Sequence, residues 1–195
     1  MNQAIEIVLG NLAIAVNLLE QSPEFASLIP EVRVNLVYAP AEARKPQDVA
    51  AIEGRITRIR GLPYASGKPS LGASDHMARL ILEMRKFDTA INAGINFKCD
   101  QTVIGIVKDY CHERGWIMGS IDRTREPPEV AEQDGSSMPW KIEQLVTSSG
   151  SVPRVFYEGE GWGKEPLFVV VGMDAVEVTE VAIDIARRYQ KKVRN

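Results

Sequence analysis

"LFVVVG", residues 167–172, is followed one residue later by Asp174 and, three positions after that, by Glu177. An almost continuous apolar run of this length reads as a strand buried on both faces. Asp174 and Glu177 have the D-x-x-E spacing of a capping box, so a helix opens directly behind the strand, with Val178, Val181, Ala182 and Ile185 facing inward. A doubly buried strand feeding an amphipathic helix is the unit of an α/β layer structure.

The same alternation extends back along the chain. "VPRVFYEG" (152–159) reads as a strand, and "MPWKIEQLVTSS" (138–149) as a helix capped by Ser136 or Ser137 and closed by Gly150. "WIMGSID" (116–122) is a strand that runs into the Pro-rich turn "REPPE". A helix over 102–114 ends at Gly115 in the C′ position, and "INFKCD" (95–100) is a short strand before it. A further helix spans 75–87, with Met77, Leu80, Ile81 and Met84 as its core face. "LPYASGKPSLGAS" (62–74) reads as loop, and "GRITRIRG" (54–61) as a strand between two glycines. In "EVRVNLVYA" (31–39), Val32, Val34, Leu36 and Tyr38 alternate with Arg33, Asn35 and Val37, the period of a strand. Ser22-Pro23-Glu24 starts a short helix that Pro30 stops. Ile5, Leu9, Leu12, Val16 and Leu19 mark an amphipathic helix near the N-terminus. We expect one domain over 1–195, with leading helices in 1–30 and an α/β body in 31–195.

Composition narrows the function. With 195 residues, 45% hydrophobic and 25% charged, the chain is an ordinary globular one. A net charge of −3 and a pI near 5.5 argue against broad capture of nucleic acid, but a cluster such as Arg55, Arg58 and Arg60 can still hold a phosphorylated small molecule. Cys99 and Cys111 lack the spacing of a zinc knuckle or redox pair and read as buried thiols. No basic leader precedes an apolar stretch, and no run reaches the roughly 20 apolar residues of a bilayer span, so a cytoplasmic location is expected.

Several constellations carry chemistry. In "GASDHMAR" (72–79), Ser74 stands where a helix cap belongs, and the N–H groups of residues 75–77 would point out of the helix N-terminus toward a phosphate oxygen, with Gly72 leaving room for it. His76, Arg79 and Glu83 share one stripe beside the apolar face and can look into a cleft; the plainer alternative is a serine that only caps and a solvated histidine. "GRITRIRG" puts three guanidiniums within six residues, with Arg55 projecting opposite Arg58 and Arg60 if the segment is a regular strand. Their planar forks suit diphosphate, although an exposed strand of mixed charge would read the same way. "EGEGWGKEP" is glycine-rich and carries Lys164, but Glu165 stands where a P-loop needs Ser or Thr. Asp122 and Arg123 lie at a strand end; Asp122 could hold Mg²⁺ against a phosphate or simply cap a turn. Asn35 and Asn96 lie on strands, where asparagine is disfavoured, and could read a polar heterocycle or bridge a buried turn.

Taken together, "VNLVYAPAEARKPQDVAAIEGRI" (34–56), "LGASDHMARLIL" (71–82), "NFKCD" (96–100), "DRTREPPE" (122–129) and "GWGKEP" (161–166) resemble the archaeal-type thiamine-phosphate synthase (ThiN) family, which often forms the C-terminal part of a fusion with hydroxymethylpyrimidine (phosphate) kinase. The resemblance implies a three-layer α/β/α fold with a mixed, largely antiparallel sheet, similar to class II aldolases. It implies condensation of hydroxymethylpyrimidine diphosphate with hydroxyethylthiazole phosphate to thiamine phosphate and pyrophosphate, with Mg²⁺ assisting. The family's activity is associated with an arginine in the "GRI" segment and a histidine in "GAS-x-H", here Arg55 and His76. We therefore expect Arg55 and His76 to be catalytic, and Asn35, Gly72, Ser74, Arg79, Asn96, Asp122, Arg123 and Lys164 to bind substrate. Where relatives commonly carry an aspartate before the glycine loop, this chain has Glu158. Two other readings stay open: the same domain serving as a thiamine-phosphate sensor without turnover, or the C-terminal piece of a bifunctional kinase fusion. Expected partners are the two phosphorylated precursors, a fused or associated kinase domain and a second copy of the chain, with no nucleic acid and no membrane.

Overall fold

In the computed structural model, which describes residues 3–127, 137–159 and 165–194, five helices and nine strands are seen among those residues. The helices are α1 (Gln3–Glu20), α2 (Asp75–Met84), α3 (Gln101–Arg114), α4 (Ser137–Ser149) and α5 (Ala175–Arg194). The strands are β1 (Leu36–Tyr38), β2 (Ala50–Ile52), β3 (Ile56–Ile59), β4 (Leu62–Ala65), β5 (Pro69–Leu71), β6 (Ala93–Lys98), β7 (Met118–Ile121), β8 (Val155–Glu158) and β9 (Leu167–Gly172). Seven of them form one sheet in the order β5-β2-β1-β6-β9-β8-β7, antiparallel at every pairing except the parallel β7–β8 pair; β3 and β4 form a separate hairpin.

The alternation of side chains along the strands divides the interior into two cores. On one face Leu36, Ile95, Phe97, Phe168 and Val170 meet Leu12 and Leu19 of α1, Val103 and Val107 of α3, and Val178 and Ala182 of α5. On the other, Val37, Phe156, Val169 and Val171 meet Met77, Leu80 and Ile81 of α2 and Ile142 and Leu145 of α4. The chain is a three-layer α/β/α structure with a mixed, largely antiparallel sheet. Contrary to the expectation that no run qualifies, α1 has the length and composition of a membrane-crossing helix, with a mean hydropathy of 1.4 over 18 residues. Here its stripe of Val8, Leu12, Ala15 and Leu19 is packed into the first core against α5.

The 167–172 strand and its capping motif form as expected. The Glu177 N–H donates to Asp174 Oδ1 at 2.9 Å, and Glu177 Oε2 accepts from the Met173 N–H at 2.7 Å. Asp100 lies beyond β6 and instead caps α3, accepting from the Val103 N–H at 2.9 Å. Both cysteines are buried as expected, and burial pushes the Cys99 thiol up to about 12 and that of Cys111 up to about 11.

Three expectations need correction. The stretch 62–74 contains β4 and β5 where a loop was expected; Pro63 and Pro69 are tolerated because one lies in a two-stranded hairpin and the other opens the sheet's edge strand. The strand expected over 31–39 is confined to Leu36–Tyr38, because Arg33 turns left-handed (φ 67°) and Val34 leaves the main sheet to bridge Ile56. The strand expected over 54–61 keeps only Ile56–Ile59: Arg55 (φ 69°) and Arg60 (φ 52°) are also left-handed, so regular strand alternation does not aim Arg55. At the far end, Arg60 with Gly61 (φ 81°) closes the hairpin and leaves Arg58 and Arg60 at its exposed tip.

Gly115 ends α3 at φ 63°, and a Cβ there would meet nothing within 4 Å. Gly115→Ala should therefore lose only backbone conformational energy, about 1 kcal/mol, lowering Tm by about 2–4 °C in a thermal melt. A larger fall would mean that Gly115 packs against something else.

Candidate active site

The antiparallel pairing brings one set of strand ends to the same margin of the sheet. Leu167 at the start of β9 pairs with Lys98 at the end of β6 and with Glu158 at the end of β8; Ile121 at the end of β7 pairs with Glu158; and Asn35 precedes β1 opposite Asn96. The N-terminal turn of α2 adjoins this margin. A cavity of about 300 Å³ lies there, lined by Asn35, Arg55, His76, Asn96, Arg123, Glu158 and Glu165 over an apolar base that includes Met77, Leu167 and Val169.

Glu158 is the buried acid of the cavity, 3% exposed. Its Oε2 accepts from Arg123 Nε at 2.8 Å, from Arg123 Nη2 and from Lys141 Nζ at 3.2 Å, while Oε1 lies 3.9 Å from His76 Nε2. Burial alone would push this carboxyl up, but His76, Lys141 and Arg123 together hold it far below the usual carboxylate range. Arg123 Nη1 is buried and has no hydrogen-bond partner among the described residues.

A second acid works on the backbone. Glu165 accepts from the N–H groups of Glu31 and Val32, each at 3.2 Å, and the carbonyl of Val32 in turn accepts from Arg55 Nη1 at 2.6 Å. Arg55 thus reaches the cavity from the left-handed turn after β2 and is steadied by a segment that Glu165 fixes. Asn96 acts similarly: its Oδ1 accepts from the Asn35 N–H at 2.6 Å and its Nδ2 donates to the Arg33 carbonyl at 3.3 Å. The amide of Asn96 therefore bridges to the neighbouring chain segment, and Asn35 and Asn96 both line the cavity.

Of the residues singled out in the sequence, Arg55, His76, Asn35, Asn96 and Arg123 come together. Others lie elsewhere. Ser74 is at the N-cap of α2 but makes no side-chain cap hydrogen bond, and Gly72 (φ 72°) turns the chain between β5 and α2 with its N–H bonded to the Val49 carbonyl at 2.9 Å. Neither lines the cavity. Arg79 donates to Asp75 at 2.7 Å and faces a separate open cleft of about 700 Å³, where Lys86 is paired with Glu83 and Arg85 with the carbonyls of Pro40 and Ala41. Asp122 caps the 3₁₀ turn Arg123–Arg125, accepting from the N–H and hydroxyl of Thr124 at 3.0 and 2.6 Å, which hold its carboxyl below the ordinary value. Lys164 lies outside the described residues.

No group of three His, Cys, Asp or Glu side chains among the described residues is arranged to hold a metal ion. The cavity's two carboxylates are committed, Glu158 to cations and Glu165 to backbone, so the described residues do not fit a protein-held Mg²⁺.

Such a margin, with two arginines, a histidine and one buried acid at strand ends, is the kind of place where α/β proteins form ligand sites. Comparison with known proteins makes this more specific. The family described as thiamine-phosphate synthase ThiN matches residues 11–184, and the chain belongs to that family. It is 41% identical over 180 residues to the thiamine-phosphate synthase ThiN of Methanothermobacter thermautotrophicus, covering 92% of this chain and 93% of that one. It is 36% identical over 185 residues to the bifunctional thiamine biosynthesis protein ThiDN of Methanocaldococcus jannaschii, covering 94% of this chain and 42% of that longer one. Among solved structures, the C-terminal domain of a phosphomethylpyrimidine kinase superposes with a TM-score of 0.86 at 33% identity, covering 92% of this chain and 97% of that one.

Two outcomes test the geometry. Asn96→Ala would leave the buried Asn35 N–H without its acceptor, so a loss of about 1–3 kcal/mol is expected, read as a lower midpoint in urea at unchanged slope. Because the folded Glu158 carboxyl titrates below its ordinary value of 4.5, its contribution to stability is complete above that value and is lost as pH falls through and below it. Denaturation series from pH 6 to 3 should therefore show a shallower acid loss in the Lys141→Met/Glu158→Gln protein than in the wild type; equal slopes would remove Glu158 from the acid response.

Proposed function

We propose that the protein is a thiamine-phosphate synthase, joining hydroxymethylpyrimidine diphosphate to hydroxyethylthiazole phosphate with release of pyrophosphate. The observation that carries this reading is the convergence of Arg55 and His76 on one cavity in a chain of the ThiN family.

The chemistry explains why these groups suit the reaction. The bond between the pyrimidine methylene and the diphosphate oxygen breaks, its electron pair leaving with the diphosphate, and the thiazole nitrogen supplies the pair that forms the new C–N bond. Negative charge grows on the departing group and positive charge on the methylene. Fixed cations beside the leaving group stabilise it more in the transition state than in the ground state, and this difference accelerates the reaction. In this reading Arg55, already held by the Val32 carbonyl, clamps the diphosphate without having to be ordered first. His76, with a side chain 56% exposed at the cavity mouth, donates a hydrogen bond or a proton to the departing pyrophosphate. Asn35 contributes a polar contact to the pyrimidine. No nucleophilic side chain is required.

Mg²⁺ belongs to the proposal as a companion that arrives on the diphosphate, since magnesium favours substrate oxygens and retained waters. The proposal extends to a homodimer, to association or fusion with a kinase domain as in the bifunctional relative, and to a cytoplasmic location; sedimentation, co-purification and fractionation test these separately.

Incubation with the two precursors and Mg²⁺ should yield thiamine phosphate and stoichiometric pyrophosphate. Saturable binding of thiamine phosphate without turnover would make the protein a sensor and overturn the synthase reading. Arg55→Ala and His76→Ala should each lower kcat/KM at least about a hundredfold, near 2.7 kcal/mol, with the fold intact by circular dichroism. His112→Gln, which alters an exposed residue in the last turn of α3, should stay within about threefold of wild type. Near-normal turnover in either of the first two variants would remove that residue from the catalytic assignment.

A further inference from the structure

Glu158 and Lys141 had no place in the sequence-based site, yet they are among the few buried charged side chains among the described residues, 3% and 2% exposed. Glu158 follows Phe156 on the β8 face that looks toward α2 and α4, and Lys141 follows Met138 and precedes Ile142 and Leu145 on the buried stripe of α4. Both positions would hold an aliphatic side chain if packing were the only requirement. A buried ion pair gives little net stability over well-packed apolar residues, so its presence calls for another explanation.

The division of the carboxylate supplies one. Oε2 takes Arg123 and Lys141, while Oε1 is left toward His76. Two cations therefore stand against one carboxylate, in a place where field strength is high because water is excluded. Arg123, with a side chain only 8% exposed, also keeps one guanidinium nitrogen, Nη1, without a partner among the described residues. A buried donor left unsatisfied next to a cavity, within a cluster of excess positive charge, fits a ligand that brings the missing negative charge.

We infer that Glu158 is a positioning residue whose two oxygens have separate tasks: Oε2 gathers Arg123 and Lys141 into a buried cluster with one cation in excess beneath the cavity, and Oε1 orients His76 at its mouth. The excess cation recognises a phosphate or diphosphate group, and Lys141 acts from behind Arg123 without touching that group. The charged pairing thus keeps both the affinity for the anion and the geometry of the histidine. The anion-binding part stands independently of the reaction; the kinetic part rests on the synthase reading.

Two variants separate the two tasks. Lys141→Met leaves Glu158 paired with Arg123 but removes the excess cation, so the dissociation constant for pyrophosphate, measured by calorimetry at fixed ionic strength, should rise at least about tenfold. Lys141→Met/Glu158→Gln restores one uncompensated cation, Arg123, in a cluster with no buried carboxylate. Its pyrophosphate affinity should return to within about threefold of wild type, while kcat falls at least about thirtyfold because no carboxylate faces His76 Nε2. An unchanged dissociation constant in Lys141→Met overturns the charge argument, and a double variant with wild-type kcat overturns the positioning of His76. Glu158→Gln alone should fold less stably than the double variant, since it leaves two buried cations without a carboxylate; the opposite order also overturns the charge argument. If the wild-type protein binds pyrophosphate but does not turn over the two precursors, the synthase reading and the kinetic part fail together, while the binding arms still decide the charge argument.

Discussion

The pairing of β6 with β9 is the constraint from which the rest of the structure follows. Six residue pairs run from Ala93↔Gly172 to Lys98↔Leu167, and both faces are covered by helices. Phe97 stacks on Phe168 with ring centroids 5.5 Å apart on one face, while Val169 and Val171 enter the other core. Once this pair is set, β1 can add only to the free edge of β6 and β8 only to that of β9, which fixes the order of the sheet's centre. It also fixes the site, because the ends of β6 and β8 and the beginnings of β9 and β1 then share one margin.

At that margin the double burial of the central strands runs out, and the face toward α2 and α4 turns polar. Where Val37, Phe156 and Val169 fill the core deeper in the sheet, Asn35, Asn96 and Glu158 occupy equivalent positions near its end. Each buried polar group must find a partner or lose several kcal/mol. Asn96 finds backbone, which explains how the chain can leave the main sheet at Val34 and cross to the hairpin without stranding the Asn35 N–H. Glu158 finds side chains, and these are the groups that line or underlie the cavity.

The layer architecture was legible because it depends on patterns that short windows contain: the continuous apolar run of β9, the capping box of α5, and the glycine that ends α3. What was not legible depended on left-handed residues other than glycine. Arg33, Arg55 and Arg60 carry positive φ without any sequence signal, and each moves a strand boundary. Arg55 and His76 stand out through family resemblance; periodicity alone leaves His76 open between a ligand group and a solvated residue. Glu158 escapes the sequence-based site although a signal exists: an acid two residues after an inward Phe, on a strand with both faces packed, is a charge placed in a core. Lys141 leaves a similar trace in its i+3 spacing from Met138. Neither segment alone says which partner will answer it, since the two lie on different elements and meet only after β8 and α4 have packed.

Charge connects the margin to the whole molecule. The chain carries a net charge of −3, yet the cavity sets Arg55, Arg123 and, behind it, Lys141 against Glu158 and Glu165. At physiological ionic strength the field of the distant surface acids is screened beyond about 8 Å, whereas charges within the buried cluster are screened far less. A polyanion that spans many screening lengths experiences the summed charge of every face it covers. A diphosphate entering a cavity of about 300 Å³ meets chiefly the local cations. The same sequence can therefore be acidic overall and still select a small anion, because size decides which part of the field the ligand experiences.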